Sequence, residues 1–192
     1  MSMSANANTW TIAPTPEPAP APEPQTPAAI RIAAIEAELT AIDAASGELT
    51  FAAAPDYEAP GDAGGDNVYN VQVQASDQNG LTSTQDIAVS VQPVNDNAPA
   101  ITSADSADVD ENTTAVLTVT ASDADLPAQT VAFSISGGDD AALFTINAAT
   151  GELAFAAAPD YEAPADAGAD NVYNVQVKAD DQHGKTSTQN IT

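Results

Sequence analysis

An internal repeat is the feature of this sequence that most constrains its fold. Residues 46–87 match residues 150–191 without a gap, and 33 of the 42 aligned positions are identical. Both copies carry the segments GEL, FAAAPDYEAP, DNVYNVQV and TSTQ, at an offset of 104 residues. A unit of about 100 residues has the size of a β-sandwich domain. The chain of 192 residues is therefore expected to hold two copies of one domain in tandem.

The two copies are not equally complete. Projecting the second copy back by the offset puts the start of the first copy before Met1, so the first copy is expected to lack its front half. The expected division is a leader over 1–38, the back half of a repeat with its linker over 39–99, and a nearly complete repeat over 100–192. Both ends resemble cuts from a longer array.

The leader has two parts with different patterns. Residues 14–27 carry proline at nearly every second position, which is typical of an extended polyproline spacer. Residues 28–42 are rich in Ala and Glu, and a possible short helix is predicted from the spacing of four apolar residues, Ile32, Ile35, Leu39 and Ile42. Because this segment aligns with residues 132–146 of the second copy, a turn and strand at its end is the alternative.

The second copy has the pattern of an all-β domain. Apolar and polar residues alternate over 117–121, 131–135 and 173–179, and short apolar runs at 144–146 and 153–155 lie between turn signals. Short strands at regular spacing predict a Greek-key, immunoglobulin-like β-sandwich. Two aromatic residues, Tyr161 and Tyr173, are expected to be at least partly packed.

The charge of the chain restricts its partners. The formal net charge is −25, from 28 Asp and Glu against three Lys and Arg, so nucleic acid and anionic membrane surfaces are poor partners and cations are favoured. The alternative is an acidic surface that only keeps the protein solvated. There is no cysteine for a disulfide, and no run approaches the roughly 20 apolar residues of a membrane span. Met1–Trp10 does not resemble a signal peptide.

The acidic residues fall in oxygen-rich clusters at predicted strand ends and loops. Calcium takes six to eight oxygen ligands, so several carboxylates must converge to bind it. A turn is the alternative for any single Asp, because Asp and Asn also suit turn geometry. The clusters are Asp56 and Glu58; Asn95, Asp96 and Asn97; Asp123 and Asp125; Asp139; and Asp181.

The order of these clusters resembles the calcium set of cadherin repeats. Residues 94–99, VNDNAP, are similar to the cadherin interdomain linker, PDYE carries the Asp-x-Glu pair, and SDAD carries the Asp-x-Asp. The resemblance covers about residues 39–192 and is to a bacterial-type repeat of a large cell-surface adhesin. It implies one ion held by the linker and the second repeat, through Asn95, Asn97, Asp123, Asp125, Asp139 and Asp181.

The resemblance also implies sites on either side of that ion. Asp56 and Glu58 would serve a pair of ions facing the first copy, where Pro93 stands in the place of the first linker Asp of the family. An incomplete outer site is expected in the second repeat, from Glu111, Asp160 and Glu162, because its own linker would follow Thr192.

These patterns favour a calcium-dependent cell-adhesion module over an enzyme. The one histidine, His183, aligns with Asn79 in a predicted hairpin loop, so no catalytic triad can be assembled. The resemblance implies an extracellular or cell-surface location within a larger exported protein, neighbouring cadherin-like repeats as partners, and homophilic adhesion. The alternatives are a passive stalk or spacer and a glycan-binding accessory domain. Trp10 lies outside both repeats.

Overall fold

The computed structural model describes residues 29–35, 39–77 and 79–192, and every long element in them is a strand. The strands of the first copy are β1 (Ala29–Ile35), β2 (Leu39–Ile42), β3 (Leu49–Phe51), β4 (Val68–Ser76) and β5 (Thr82–Ser90). Those of the second copy are β6 (Ala100–Ile101), β7 (Ala115–Thr118), β8 (Ala121–Ser122), β9 (Ala132–Gly137), β10 (Phe144–Ile146), β11 (Glu152–Phe155), β12 (Val175–Asp180) and β13 (Thr186–Ile191), with a 3-10 turn at Ala141–Leu143.

The second copy is a sandwich of two antiparallel sheets. One sheet has the order β13-β12-β9, and the other has the order β10-β11-β7, with the short pair β6-β8 beside it. Apolar residues of both sheets meet in a single core that contains Val119, Phe133, Leu153, Phe155 and Val177. Phe144 stacks on Phe155, with ring centroids 4.6 Å apart. The predicted Greek-key, all-β class is confirmed.

The first copy repeats only the back part of this arrangement. Its sheet β1-β4-β5 corresponds to β9-β12-β13, and its pair β2-β3 corresponds to β10-β11. The described residues include no counterpart of β6, β7 or β8. Among the residues whose side chains the structure describes, its core has two buried apolar residues, Tyr69 and Val71, with half-buried neighbours from β3, β4, β5 and Val91.

The helix considered for residues 28–42 is wrong, because its described residues form strands. The alternative of a strand at the end of the segment is correct for β2, and β1 was not predicted. β1 pairs antiparallel with β4, from Ala29 opposite Ser76 to Ile35 opposite Val71, and β2 pairs with β3. The helix-like spacing has a simple origin, because the register shifts between Ile32 and Ala34. A bulge in a strand breaks the period of two that would have identified it. β1 also lies before residue 39, where the first copy was expected to begin.

The expectation for the aromatic residues is correct for one tyrosine and wrong for the other. Tyr173 is half-buried and its ring contacts Phe155 edge-on, with centroids 5.0 Å apart. Tyr161 is 66% exposed, because it lies in the loop after β11 and not on a strand. The proline-rich run at 14–27 and Trp10 lie outside the described residues. None of the described helices is long and apolar enough to cross a membrane.

Candidate metal centre

The linker between the copies and two loops of the second repeat meet at one junction. β5 ends at Ser90, and the linker then runs without regular structure to β6, with Pro99 fully buried. β12 ends at Asp180 opposite Ala132, the first residue of β9. β8 ends at Ser122, paired with Ala100 at the end of the linker. Residues that follow β8 and β12, or precede β9, therefore lie beside the linker.

Three carboxylates of the second repeat converge at this junction. Asp123 and Asp125 follow β8, and Asp181 follows β12. One oxygen from each lies within 4.8 Å of an oxygen from each of the others. Asp125 and Asp181 are fully buried, and Asp123 is half-buried. Three carboxylates this close repel one another unless a cation lies among them.

A second group of carboxylates joins the two copies and shares Asp125 with the first. It consists of Glu58 from the first copy, Asp96 from the linker, and Asp125, again with oxygens within 4.8 Å of one another. Glu58 also accepts a hydrogen bond from the backbone N–H of Leu126, at 3.1 Å. Asp125 is thus the point where the first copy, the linker and the second repeat come together.

Amide side chains of the linker hold these carboxylates in place. The Asn95 amide donates to Asp181 Oδ2 at 2.8 Å, and Asn97 donates to Asp125 Oδ1 from its side chain at 2.8 Å and its backbone at 3.1 Å. Asp125 N–H in turn donates to Asp123 Oδ1 at 2.9 Å. The linker is therefore bound to the second repeat through the same residues that carry the charge.

These hydrogen bonds keep the buried carboxylates ionised. Burial raises the pKa of Asp125, but the hydrogen bonds from the side chain and backbone of Asn97 outweigh burial, and its pKa lies below the usual value. Burial likewise raises the pKa of Asp181, and the N–H groups of His183 and Lys185 together with the Asn95 amide lower it further than burial raises it. Both groups are therefore anions at neutral pH.

The group around Asp181 also has buried oxygens without a hydrogen-bond partner. Within the part of the chain that the structure describes, Asp123 Oδ2 and Gln129 Oε1 are buried and accept no hydrogen bond. Buried polar atoms are nearly always paired, so an unpaired oxygen beside three carboxylates has the chemistry of a ligand for a hard cation. Among the described residues the ion pair found is Lys178–Asp180, so no described positive side chain is paired with these three carboxylates. The donor set fits calcium.

Gln129 was missed by the sequence analysis. It lies just before β9, and its amide donates to Asn95 Oδ1 at 3.0 Å and to Asp125 Oδ2 at 3.3 Å. A glutamine carries no charge, so it does not stand out in a search for acidic clusters. Its position in the loop between the Asp-x-Asp segment and the next strand could have identified it as a residue of the junction.

The prediction that Asp139 is a ligand at the junction is wrong, because the structure places this residue away from the junction. Ala132 at the start of β9 pairs with Asp180, whereas Gly137 at its end pairs with Gln176. At about 3.3 Å per residue, the length of β9 puts Asp139 roughly 16 Å or more beyond the junction. The neighbouring Asp140 is buried, and its carboxylate accepts hydrogen bonds from the N–H groups of Ala167 and Asn174. The loop after Gly138 is structural.

The remaining predicted ligands divide into a turn and a second cluster. Asp56 is exposed, and its Oδ1 accepts the backbone N–H groups of Glu58 and Ala59, so it shapes the turn that presents Glu58. The predicted outer residues do converge. They place oxygens within 4.8 Å of one another, and all three are exposed: Glu111, Asp160 and Glu162.

Comparisons with known proteins agree with this geometry. Residues 105–192 match the family model described as the cadherin domain. No curated protein matches the sequence. The fold is similar to Drosophila N-cadherin EC1-4, with 19% identity and a TM-score of 0.68 over 89% of this chain and 42% of that one.

Two further solved structures are similar at comparable levels. Human protocadherin-24 EC1-2 has 24% identity and a TM-score of 0.65 over 86% of this chain and 78% of that one. Mouse cadherin-23 EC22-24 has 20% identity and a TM-score of 0.62 over 85% of this chain and 52% of that one. The chain thus spans about half the length of several of the structures it matches.

Proposed function

We propose that the chain, whose residues 105–192 match the family model of the cadherin domain, is a calcium-binding segment of a cell-surface adhesion array. Calcium binds at the junction of the two copies and fixes their relative orientation. The observation that carries this proposal is the pair of carboxylate groups that share Asp125, one within the second repeat and one that reaches Glu58 of the first copy.

The donor atoms favour calcium over magnesium. The residues at the junction offer carboxylate and amide oxygens from four separate parts of the chain, which suits the six to eight ligands and the flexible geometry of calcium. Magnesium requires a near-ideal octahedron and keeps several waters. We propose as ligands the residues around the two groups: Glu58, Asn95, Asp96, Asn97, Asp123, Asp125, Gln129 and Asp181.

The ion acts mechanically in this proposal. Without it, the acidic groups of the linker and loops repel one another, and the net charge of −25 adds to that repulsion. With it, Glu58 and Asp125 become ligands of the same ion, so the first copy and the second repeat are joined through it. Extracellular calcium modules bind with dissociation constants on the order of 0.1 to 1 mM, and we expect a value in that range.

The outer cluster is proposed as a second, weaker calcium site. Glu111, Asp160 and Glu162 are exposed, and the described residues near them supply no linker amides like Asn95 and Asn97. Fewer ligands and full exposure lower the affinity. In a longer array the next linker would complete this site.

The wider biology follows from the family and is proposed on that basis. We infer an extracellular or cell-surface location within a larger exported protein of the bacterial adhesin type, neighbouring cadherin-like repeats as partners, and no catalytic activity. Calcium-dependent homophilic adhesion is the function proposed for the array. Within the array this segment serves as a calcium-stiffened spacer, because its buried carboxylates gather at the junction of the two copies.

A matched pair of variants tests the calcium proposal. Asp181 and Asp77 are the same residue in the two copies, and each caps its hairpin: Asp181 accepts the N–H groups of His183 and Lys185, and Asp77 accepts those of Asn79 and Leu81. Only Asp181 lies in a carboxylate group at the junction. Asp181→Asn should therefore weaken calcium binding at least about tenfold, and Asp77→Asn should leave it unchanged.

Isothermal calorimetry with millimolar calcium makes this measurement, with magnesium as the ion control. No heat from the parent protein would refute the calcium site. Equal losses in both variants would show that the carboxylates act by capping hairpins and not by binding the ion.

A further inference from the structure

The edge of β3 in the first copy lacks a partner that the same edge has in the second copy. β11 lies between β10 and β7, whereas β3 is paired with β2 and, among the described residues, has no strand on its other side. A strand edge of this kind presents unpaired N–H and C=O groups that can accept another strand. The apolar residues beside it, Leu49, Phe51 and Val73, are half-buried.

The second copy defines what fits against such an edge. β7 runs antiparallel to β11, with Leu117 opposite Leu153 and Thr118 opposite Glu152. The pairing continues beyond the strand, because Phe155 N–H donates to Thr114 C=O and Val119 N–H donates to Gly151 C=O, both at 2.8 Å. Val119 is then buried in the core, 1% exposed.

The first copy has kept the residues that receive this strand. Glu48, Leu49 and Phe51 are identical to Glu152, Leu153 and Phe155, and Gly47 is identical to Gly151, with positive φ at both glycines. The edge of β3 therefore carries nearly the same residues as the edge of β11, which is paired with β7. That occupant is an extended strand with the sequence Thr-Ala-Val-Leu-Thr-Val.

We propose that the β3 edge of the first copy is a docking site for an extended strand from another polypeptide. The occupant pairs antiparallel with β3, places a leucine opposite Leu49, and inserts a valine two residues later between the two sheets. It carries no acidic residue in this stretch, because a chain with a net charge of −25 repels an acidic peptide. Main-chain hydrogen bonds supply affinity and the two apolar side chains supply specificity. This inference does not depend on calcium binding.

A peptide of the chain's own sequence provides the test. The probe is fluorescein-labelled NTTAVLTVTAS, residues 112–122, added to the full chain and followed by fluorescence anisotropy. We expect saturable binding. Leu49→Asp in the protein should weaken it at least about tenfold, because a buried leucine contact is replaced by a charge. Leu81→Asp is the control, since Leu81 is an exposed apolar residue of the β4–β5 hairpin, and this variant should bind as the parent does.

A substitution in the peptide controls for loss of binding that results from unfolding of the Leu49→Asp protein. The same peptide with Leu117→Asp leaves the protein untouched and should also lose at least about tenfold in affinity. Three outcomes would overturn the proposal. The first is no saturable binding by the parent. The second is equal binding by Leu49→Asp, which would place the peptide in the second repeat by exchange with β7. The third is binding seen only after removal of residues 1–28, which would make that segment the occupant.

Discussion

Identical residues have different surroundings in the two copies, and the difference shows what a sandwich needs besides its own sequence. Four apolar residues of the second copy are at most 8% exposed, while the same residues of the first copy are half-buried. The pairs are Leu153 and Leu49, Phe155 and Phe51, Val177 and Val73, and Ile191 and Ile87.

The strands from the front half account for this difference. In the second copy, Val119 is buried in the core, and Val116, Leu117 and Ala121 pack against it from the same part of the chain. Among the residues whose side chains are described, the apolar cluster of the first copy is built from β3, β4, β5 and Val91. Burial of a side chain is thus set by strands distant in sequence. The same segment can be buried in the core of one copy and half-exposed in the other.

The largest expected effect is that of one substitution made in both copies. Leu153→Ala removes a buried side chain and should destabilise the second repeat by about 2–5 kcal/mol. Leu49→Ala removes a half-exposed side chain and should cost the first copy no more than about 1.5 kcal/mol. Hydrogen exchange of the β11 and β3 amides measures both. Equal costs would mean that Leu49 is as well covered as Leu153.

The glycine before each of these strands gives a second comparison. Gly151 has a φ of 73°, and a Cβ built on it would lie 2.1 Å from the carbonyl oxygen of Val119. Gly47 has a similar φ of 77°. Alanine pays a backbone cost of about 1–2 kcal/mol at both positions. Gly151→Ala should cost more than Gly47→Ala in chemical denaturation, because it must also push the chain after β7 away. Equal losses would place an equally close strand beside Gly47.

Calcium should sharpen the difference between the copies. An ion present at ten times its dissociation constant stabilises the folded state by about 1.4 kcal/mol per site. Most of the proposed ligands belong to the linker and the second repeat, so the second repeat should gain most of this stability. Thermal unfolding with and without calcium, compared with Asp125→Asn, measures it. An equal gain for the Asp125→Asn variant would place the ion elsewhere.

The fold of the second repeat could be predicted because its strands alternate cleanly. Val175, Val177 and Ala179 are buried and their neighbours are not, as the period of two requires. β1 could not be predicted in the same way, since its bulge after Ile32 disturbs the period. The unequal burial of Leu49 and Leu153 could not be predicted from their local sequence at all, which is identical.

The candidate site was predictable in its charges but not in its geometry. The order of the acidic clusters led to Asp125 and Asp181, which the structure brings together. Asp139 also lies in a loop rich in Asp and Gly, but its local sequence does not show that this loop follows the end of β9 that points away from the junction. Gln129 has no charge to reveal it, and only the hydrogen bonds to Asn95 and Asp125 show its place.

The smallest expected effect concerns a turn in which the copies differ by one charge. Asp43 in the first copy and Asn147 in the second occupy matching positions before β3 and β11. Asp43 Oδ1 accepts the backbone N–H groups of Ala45 and Ser46, and Asn147 Oδ1 accepts those of Ala149 and Thr150. The cap is therefore the same, and only the ionisable group is different.

Asp43→Asn should thus change stability with pH and not at neutral pH. The backbone N–H groups of Ser46 and Ala45 hold the pKa of Asp43 below its usual value. A lowered pKa contributes stability that is present above the unfolded value, near 3.9, and is lost as the pH falls through the folded value. The variant should match the parent in thermal midpoint at pH 7 and lose less stability between about pH 4 and pH 2. Asn147→Asp should introduce the same acid sensitivity into the second repeat. Unchanged acid profiles in both variants would show that the charge contributes nothing to either turn.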